Sequence, residues 1–398
     1  MKGLVEIINR ETERVFIVGV QLKGQDAWCI DESLDELEEL VGTAGGEVAG
    51  RGTQRLDRVN AATFIGPGKA REFAEQCKEA EVDTVVFDEE LSPAQGRNLE
   101  KVFECKILDR TALILDIFSQ RARTREGKLQ VELAQLNHLL PRLTRFWTHL
   151  SRQKGGIGMR GGEGESQLEV DRRKVRERID KIQRDLELVM RHRSVQRTGR
   201  KRNQWPLGSL VGYTNAGKST LFNAITGASA LAEDKLFATL DPTTRRLCLP
   251  TNQNVLLSDT VGFIRKLPHD LVVAFKATLE EVIEADLLLH VVDISSPQVE
   301  EQIEAVNVVL DELGVADKPT LMVFNKIDRV TTPGLAKRFT DLHPNSIVVS
   351  ARTGEGFEAF MAELGKQLRP VREMLVLSIP HSQSEVIAQL HEVGQVLE

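Results

Sequence analysis

Short apolar runs alternate with stretches of helical period through the first part of the chain. Val15-Phe-Ile-Val-Gly-Val20 and Thr84-Val-Val-Phe87 are short enough to be buried strands, while Leu34 to Leu40 and Ala70 to Ala80 repeat apolar positions at helical spacing. This predicts a small α/β domain over residues 1–118. From 119 to 202 the pattern becomes a seam. Leu129, Leu133, Leu136, Leu140, Leu143, Trp147 and Leu150 recur at alternating spacings of 4 and 3, and Leu168, Val175, Ile179, Ile182, Leu186 and Val189 keep the same register. A period of 3.5 predicts two helices, 129–150 and 168–189, wound against each other as an antiparallel hairpin about 33 Å long. Pro141 falls inside the first stripe and predicts a kink there. Residues 203–370 return to strands alternating with helices, and 371–398 read as one strand and one helix, the start of a C-terminal module that breaks off.

Polar residues sit where these apolar strands end, and there the chemistry concentrates. Leu207-Gly-Ser-Leu-Val211 runs into Gly212-Tyr213-Thr214-Asn215-Ala216-Gly217-Lys218-Ser219, followed by a helix that begins at Thr220. Strand, Gly-x-x-x-x-Gly-Lys-Ser and helix form a phosphate loop: the glycines let backbone N–H groups converge on phosphate oxygens, Lys218 neutralises the β/γ charge, and Ser219 offers a hydroxyl to Mg²⁺. Val255-Leu-Leu-Ser precedes Asp259-Thr260-Val261-Gly262. A carboxylate there can hold the magnesium shell through water, and the glycine amide can sense a γ-phosphate. Thr320-Leu-Met-Val-Phe324 leads into Asn325-Lys326-Ile327-Asp328. One carboxylate accepts from both N1–H and N2–H₂ of guanine, which adenine does not offer as a pair, so Asp328 sets the base. Ser350-Ala351-Arg352 ends a further strand and matches a loop whose backbone contacts the guanine oxygen. Four such elements in this order indicate GTP and GDP as ligands. Gly66-Pro-Gly-Lys69 lacks these flanks and predicts only a tight turn before a helix.

Charge sharpens the middle region. The chain carries a net −7, yet residues 121–202 hold 22 Lys+Arg against 10 Asp+Glu, a local +12 inside a remainder of −19. Such a block is either a polyanion-binding surface or a solvated helix face. Between the two stripes, Lys154 to Glu165 contains six glycines with Lys154 and Arg160, a loop able to approach another surface closely. With few aromatics to stack on bases, Arg160, Arg172 and Arg173 are candidate contacts to the backbone of structured RNA. Four scattered cysteines with no Cys-x-x-Cys spacing argue against a zinc site or disulfide framework, and fit a reducing cytoplasm. No apolar run is long enough to span a membrane.

Three segments go beyond a generic nucleotide switch. Leu236-Phe237-Ala238-Thr239-Leu240-Asp241-Pro-Thr243-Thr-Arg245, Asp259 to Pro268, and Gly156-Ile-Gly-Met-Arg-Gly-Gly-Glu-Gly-Glu-Ser-Gln-Leu-Glu-Val-Asp-Arg-Arg173 resemble the two switch regions and the hairpin-tip signature of the HflX family of translation-factor-related GTPases. The resemblance covers most of the chain. It implies a P-loop GTPase domain preceded by an α/β domain and a helical hairpin, acting in the cytoplasm as a monomer on the large ribosomal subunit and its rRNA, with part of the pool ribosome- or membrane-peripheral. It implies splitting or rescue of stalled ribosomes. It also places the magnesium-ligating switch I threonine at Thr239, with Thr243 as the alternative, alongside Ser219. Phe263 stands where many GTPases carry a water-orienting glutamine. Either a partner completes a slow enzyme, or Phe263 merely packs. A reading from a different class is an RNA-binding chaperone or unwinding protein in which hydrolysis is secondary.

Overall fold

The structure is a computed structural model that describes residues 12–23, 30–143, 167–202, 205–227, 236–237, 239–250, 253–266 and 279–368. Arg160, the glycine-rich segment around it, Ala238 and the predicted C-terminal module lie outside these residues.

The first sheet is parallel, with strand order β2 (Glu47–Leu56), β1 (Arg14–Leu22), β3 (Thr84–Phe87), β4 (Lys106–Asp109). Alternate β1 side chains feed two cores, as a period of two requires. Val15 and Ile17 face α1 (Ile30–Ala44), whose Leu34, Leu37, Leu40 and Val41 form one buried stripe. Phe16, Val18 and Val20, with Phe87 of β3, face α2 (Pro67–Glu79) and α3 (Pro93–Phe103), where Phe73, Leu99 and Phe103 close the other side. Local chemistry fixes the helix starts. Ser92 and Gln95 form a reciprocal capping box on α3, and the Asp109 carboxylate accepts from Ala112 N to start α4 (Arg110–Arg121). Gly66 precedes α2, which begins at Pro67, so that segment is a helix start.

The hairpin departs from expectation in its first helix. This α5 (Arg125–Leu139) stops two residues short of Pro141 and is followed by a turn. Where a kink at Pro141 is expected the described helix ends, and the predicted stretch from 144 to 150 lies outside the described residues. Proline has no N–H to give to the helix, so the regular hydrogen-bond ladder ends before it although Leu140 keeps helical angles. The partner α6 (Gln167–Arg202) has 36 residues, about 54 Å at helical rise, well beyond its predicted stripe. The two run antiparallel: Arg172 Nε donates to Leu143 O at 3.1 Å, and Arg178 binds Glu132 through two hydrogen bonds of 2.7 and 2.8 Å. Ile179 and Ile182 of α6 are buried. On α5, however, the buried positions are Glu126, Gly127, Gln130, Val131 and Ala134, while Leu129, Leu133 and Leu136 are half-buried. The helix is wedged between α4 and α6, and the apolar seam marks only one of its two covered faces.

The second sheet has order β10 (Ser346–Val348), β9 (Thr320–Asn325), β8 (Leu287–Asp293), β5 (Leu207–Val211), β7 (Asn254–Asp259), β6 (Thr243–Cys248), with only β6 antiparallel. The helix α7 (Lys218–Thr226) follows β5, and α8 (Glu280–Ile283), α9 (Val299–Glu312), α10 (Leu335–Leu342) and α11 (Phe357–Gln367) complete the described elements. From Leu287 to Val292 the central strand β8 is buried without interruption, as expected for a strand covered on both faces. The carboxyl ends of β5, β7, β9 and β10 converge, which is where open α/β sheets bind ligands.

Candidate functional site

The loop from β5 to α7 has a shape only glycine allows at two points. Gly212 has φ +148° and Gly217 φ +92°; a Cβ on the first would lie 2.2 Å from Val291 O, and on the second 2.3 Å from Asn325 Nδ2. Directly after Gly217, Lys218 is buried, and its Nζ donates to Gly212 O at 3.0 Å and Tyr213 O at 2.7 Å. Burial pushes the ammonium down to about 8, with Asp259 opposing the shift and Lys326 reinforcing it. Phosphates favour the charged form, so the neutral lysine must take up a proton to bind them. Affinity for GDP is therefore expected to fall about tenfold between pH 7 and pH 9 at constant ionic strength. Titrating a fluorescent GDP analogue at the two pH values checks this; a flat profile would remove the lysine from the phosphate site.

Beside the loop, three oxygen-bearing side chains meet. Ser219 Oγ lies 2.7 Å from Thr239 Oγ1, and both hydroxyls donate to Asp259 Oδ2, at 2.7 and 3.0 Å. Asp259 Oδ1 is buried without a hydrogen-bond partner among the described residues. Burial raises the Asp259 carboxyl above its usual range, opposed by the Ser219 hydroxyl and Lys218. A hard divalent cation fits this set, because it would neutralise the carboxylate and use the hydroxyl oxygens as ligands. Thr243, the alternative threonine, begins β6 and pairs backbone to backbone with Asp259.

At the other end, Asn325 bridges two loops: its Nδ2 donates to Ala216 O and its Oδ1 accepts from Ala351 N, both at 2.9 Å. Ser350 Oγ donates to Asp328 Oδ1 at 2.6 Å, orienting that carboxylate. Lys326 has φ +66° and pairs with Asp293 at 2.7 Å. The resulting cleft, about 430 Å³, is lined by Lys218, Ser219, Thr239, Gly262, Asp328 and Arg352, and also by Thr214, Asn215, Gly217, Thr220, Phe237, Thr260, Asn325, Lys326 and Ala351.

Other sequence-selected residues have different places. Tyr213 turns away, its hydroxyl donating to Glu36 and accepting from Arg265 N at 2.9 Å. Leu240 and Val261 are buried in the core, and Ile327 opens a short turn that carries Asp328. Asp241 accepts from Arg123 N and Thr124 N, each at 2.9 Å, at the start of α5. Phe263 N donates to Gly212 O at 3.0 Å and Phe263 O accepts from Thr214 N at 2.7 Å, while the ring is buried in the apolar core rather than lining the cleft. Sequence reasoning missed Asp293 and Arg329. The first ends an apolar strand, as Asp259 does, and the second directly follows the base-selecting Asp328, so position alone could have flagged both.

Three family models match consecutive stretches of the chain. A family model described as "GTP-binding GTPase N-terminal" matches residues 31–119, "GTP-binding GTPase Middle Region" matches 121–200, and "50S ribosome-binding GTPase" matches 208–326. A GTPase HflX of Magnetococcus marinus is 52% identical over 365 residues, covering 92% of this chain and 84% of the relative. The GTPase HflX of Escherichia coli K12 is 51% identical over 367 residues, covering 92% and 86%. That of Caldanaerobacter subterraneus is 48% identical over 394 residues, covering 99% and 90%.

Proposed function

This chain belongs to the HflX family of GTPases and hydrolyses GTP, and from that premise we propose that it is a nucleotide switch for the large ribosomal subunit. In this reading Gly212–Thr220, Phe237–Asp241, Asp259–Gly262, Asn325–Asp328 and Ser350–Arg352 hold GTP, and Ser219 and Thr239 ligate Mg²⁺. The basic hairpin contacts rRNA, and the GTP-bound protein splits or rescues stalled ribosomes. Intrinsic hydrolysis is slow and the ribosome accelerates it.

One observation carries the proposal. Asp241, two residues past Thr239, binds the two backbone N–H groups and the Thr124 hydroxyl at the start of α5. The same segment stacks Phe237 edge-on against Phe118 of α4, with ring centroids 4.7 Å apart. A γ-phosphate that fixes Thr239 thereby fixes the root of the hairpin, which gives the two states different binding surfaces. On the hairpin, Arg172 Nε is committed to Leu143 O and Arg173 lies 3.8 Å from Glu177, whereas Lys174, Arg176 and Lys181 are exposed beside them. These exposed cations share the phosphate contacts assigned to Arg160, Arg172 and Arg173.

Co-sedimentation with large subunits tests the switch. Binding is expected to be at least about tenfold tighter with a non-hydrolysable GTP analogue than with GDP, and to weaken steeply with salt. Asp241→Ala should bring the two nucleotide states together. Equal binding of the wild-type protein in both states would reject the switch.

A further inference from the structure

The family's chemistry needs a water held in line with the γ-phosphate, and the side chain usually assigned to that task is Phe263 here. Its ring is buried among apolar side chains, so the protein must hold the water by other means. Three observations converge on Thr214.

First, Thr214 lines the nucleotide cleft together with Lys218, Thr239 and Gly262. Second, it lies at the end of the cleft that takes the γ-phosphate. A Cβ built on Gly262 would sit 2.9 Å from Lys218 Nζ, 2.9 Å from Thr214 Cα and 3.0 Å from Thr214 Cγ2. The phosphate-reading ammonium and Thr214, through its Cα and methyl group, therefore both border the γ-sensing glycine. Third, Thr214 is only 5% exposed, and its Oγ1 has no hydrogen-bond partner among the described residues. A buried hydroxyl left without a partner costs about 1–3 kcal/mol, which a purely space-filling valine would avoid. Of the three other orphan hydroxyls among the described residues of this domain, Ser209 and Ser258 are register partners inside the sheet, Ser346 begins β10, and none lines the cleft.

We infer that the Thr214 hydroxyl is a catalytic group of this GTPase that holds the attacking water at the γ-phosphate. The inference rests on the GTPase reading of the cleft. The hydroxyl accepts a hydrogen bond from the water and donates its own proton's hydrogen bond to a γ-phosphate oxygen. The water oxygen bonds to the γ-phosphorus as the bond to the β–γ bridging oxygen breaks. The electron pair stays on GDP, and the water proton leaves with the released phosphate, so the threonine ends unchanged. The backbone bridge between Thr214 N and Phe263 O fixes the residue against the segment after Gly262, which positions the hydroxyl without a long flexible side chain.

Thr214→Val keeps shape and removes the hydroxyl, whereas Thr214→Ser keeps the hydroxyl and removes the methyl. Single-turnover GTP hydrolysis by the full chain is expected to fall at least about tenfold in the valine variant and to stay within about threefold of wild type in the serine variant. GDP affinity should shift by the same factor in both, while affinity for GDP with aluminium fluoride, which mimics the transferring phosphoryl group, falls relative to that for GDP in the valine variant alone. Wild-type hydrolysis by Thr214→Val would overturn the assignment, as would equal losses in the two variants. If Thr214→Val failed to bind GDP, Thr214→Ala carries the same comparison against serine. Loss of GDP binding in Lys218→Ala and retention in the wild type checks the cleft itself, so failure of the Thr214 assignment is distinguishable from failure of the site.

Discussion

Replacing Asp328 with asparagine is expected to weaken GTP binding by at least about a hundredfold and to shift preference toward xanthine nucleotides. Guanine offers two adjacent donors, N1–H and N2–H₂, and a carboxylate accepts both. Ser350 Oγ holds Asp328 Oδ1 at 2.6 Å, and the carboxylate lines the cleft at the end away from Thr214 and Lys218. An asparagine amide would turn an N–H toward one of guanine's N–H groups, so a charge-assisted bond becomes a clash of donors. Losing such a bond and leaving the donors unpaired amounts to about 2.7 kcal/mol or more, the stated hundredfold. Xanthine carries a carbonyl oxygen in place of the amino group and restores the match. Competition between GTP and XTP for a fluorescent GDP analogue measures both changes. GTP affinity within about threefold of wild type would mean that the base is held elsewhere.

A second large effect is expected far from the nucleotide. Arg110, at the start of α4, is 2% exposed, with Nη1 donating to Asp88 Oδ1 at 2.7 Å and Nη2 donating to Glu36. Around this pair Tyr213 Oη donates to Glu36, and Lys266 bonds Asp88 and also Glu89 at 2.7 Å. Burial works against both charges. The two carboxylates nevertheless raise the Arg110 guanidinium, and Arg110 and Lys266 hold Asp88 below the usual carboxylate range. Arg110→Met would leave Glu36 with only the neutral Tyr213 hydroxyl, and Asp88 with Lys266 and the Ser33 hydroxyl, at an expected loss of about 3–5 kcal/mol of folding stability.

The pH dependence follows from the signs. In the wild type the folded-state pKa of Asp88 is depressed, so its contribution is present above the unfolded value and fades as pH falls through the folded one. In the variant Asp88 keeps its burial but loses the stronger of the two cations that oppose it, so the cost of its charge is largest at neutral pH and is relieved as it protonates. The stability gap between variant and wild type should therefore narrow from pH 7 to pH 5. Urea midpoints at the two pH values measure it. A gap below about 1 kcal/mol, or one that widens toward acid, would show that the cluster does not hold the two halves together.

That cluster marks the division between what could be read along the chain and what could not. The phosphate loop, Asp259–Gly262 and Asn325–Asp328 are legible because each needs only a strand, a few loop residues and a helix or turn, all within one stretch of chain. The stripe at 175–189 is legible for the same reason, since period alone reports a face. The direction of the Tyr213 side chain is not. Its partner, Glu36, is 177 residues away, and a tyrosine in a phosphate loop carries no mark of pointing outward. Asp241 reads as part of a switch, yet its carboxylate caps α5 across 117 residues. Helix α5 shows the limit from the other side. Its apolar seam was visible, but Glu126 and Gln130 are buried because a second face meets α4, and polar residues give no hydrophobic signal.

The same holds at the γ-phosphate end of the cleft. The sequence by itself determined that a phenyl ring stands at 263 and so removed the usual water-orienting amide. Only the tertiary structure decided that the ring is packed away and that Thr214, whose hydroxyl has no partner among the described residues, borders Gly262 alongside Lys218. Local motifs fix which ligand the loops can bind, because backbone geometry near a glycine or a helix start depends on neighbours in sequence. Which side chains face that ligand depends on how distant strands and helices close around it, and no pattern along the chain encodes that closure.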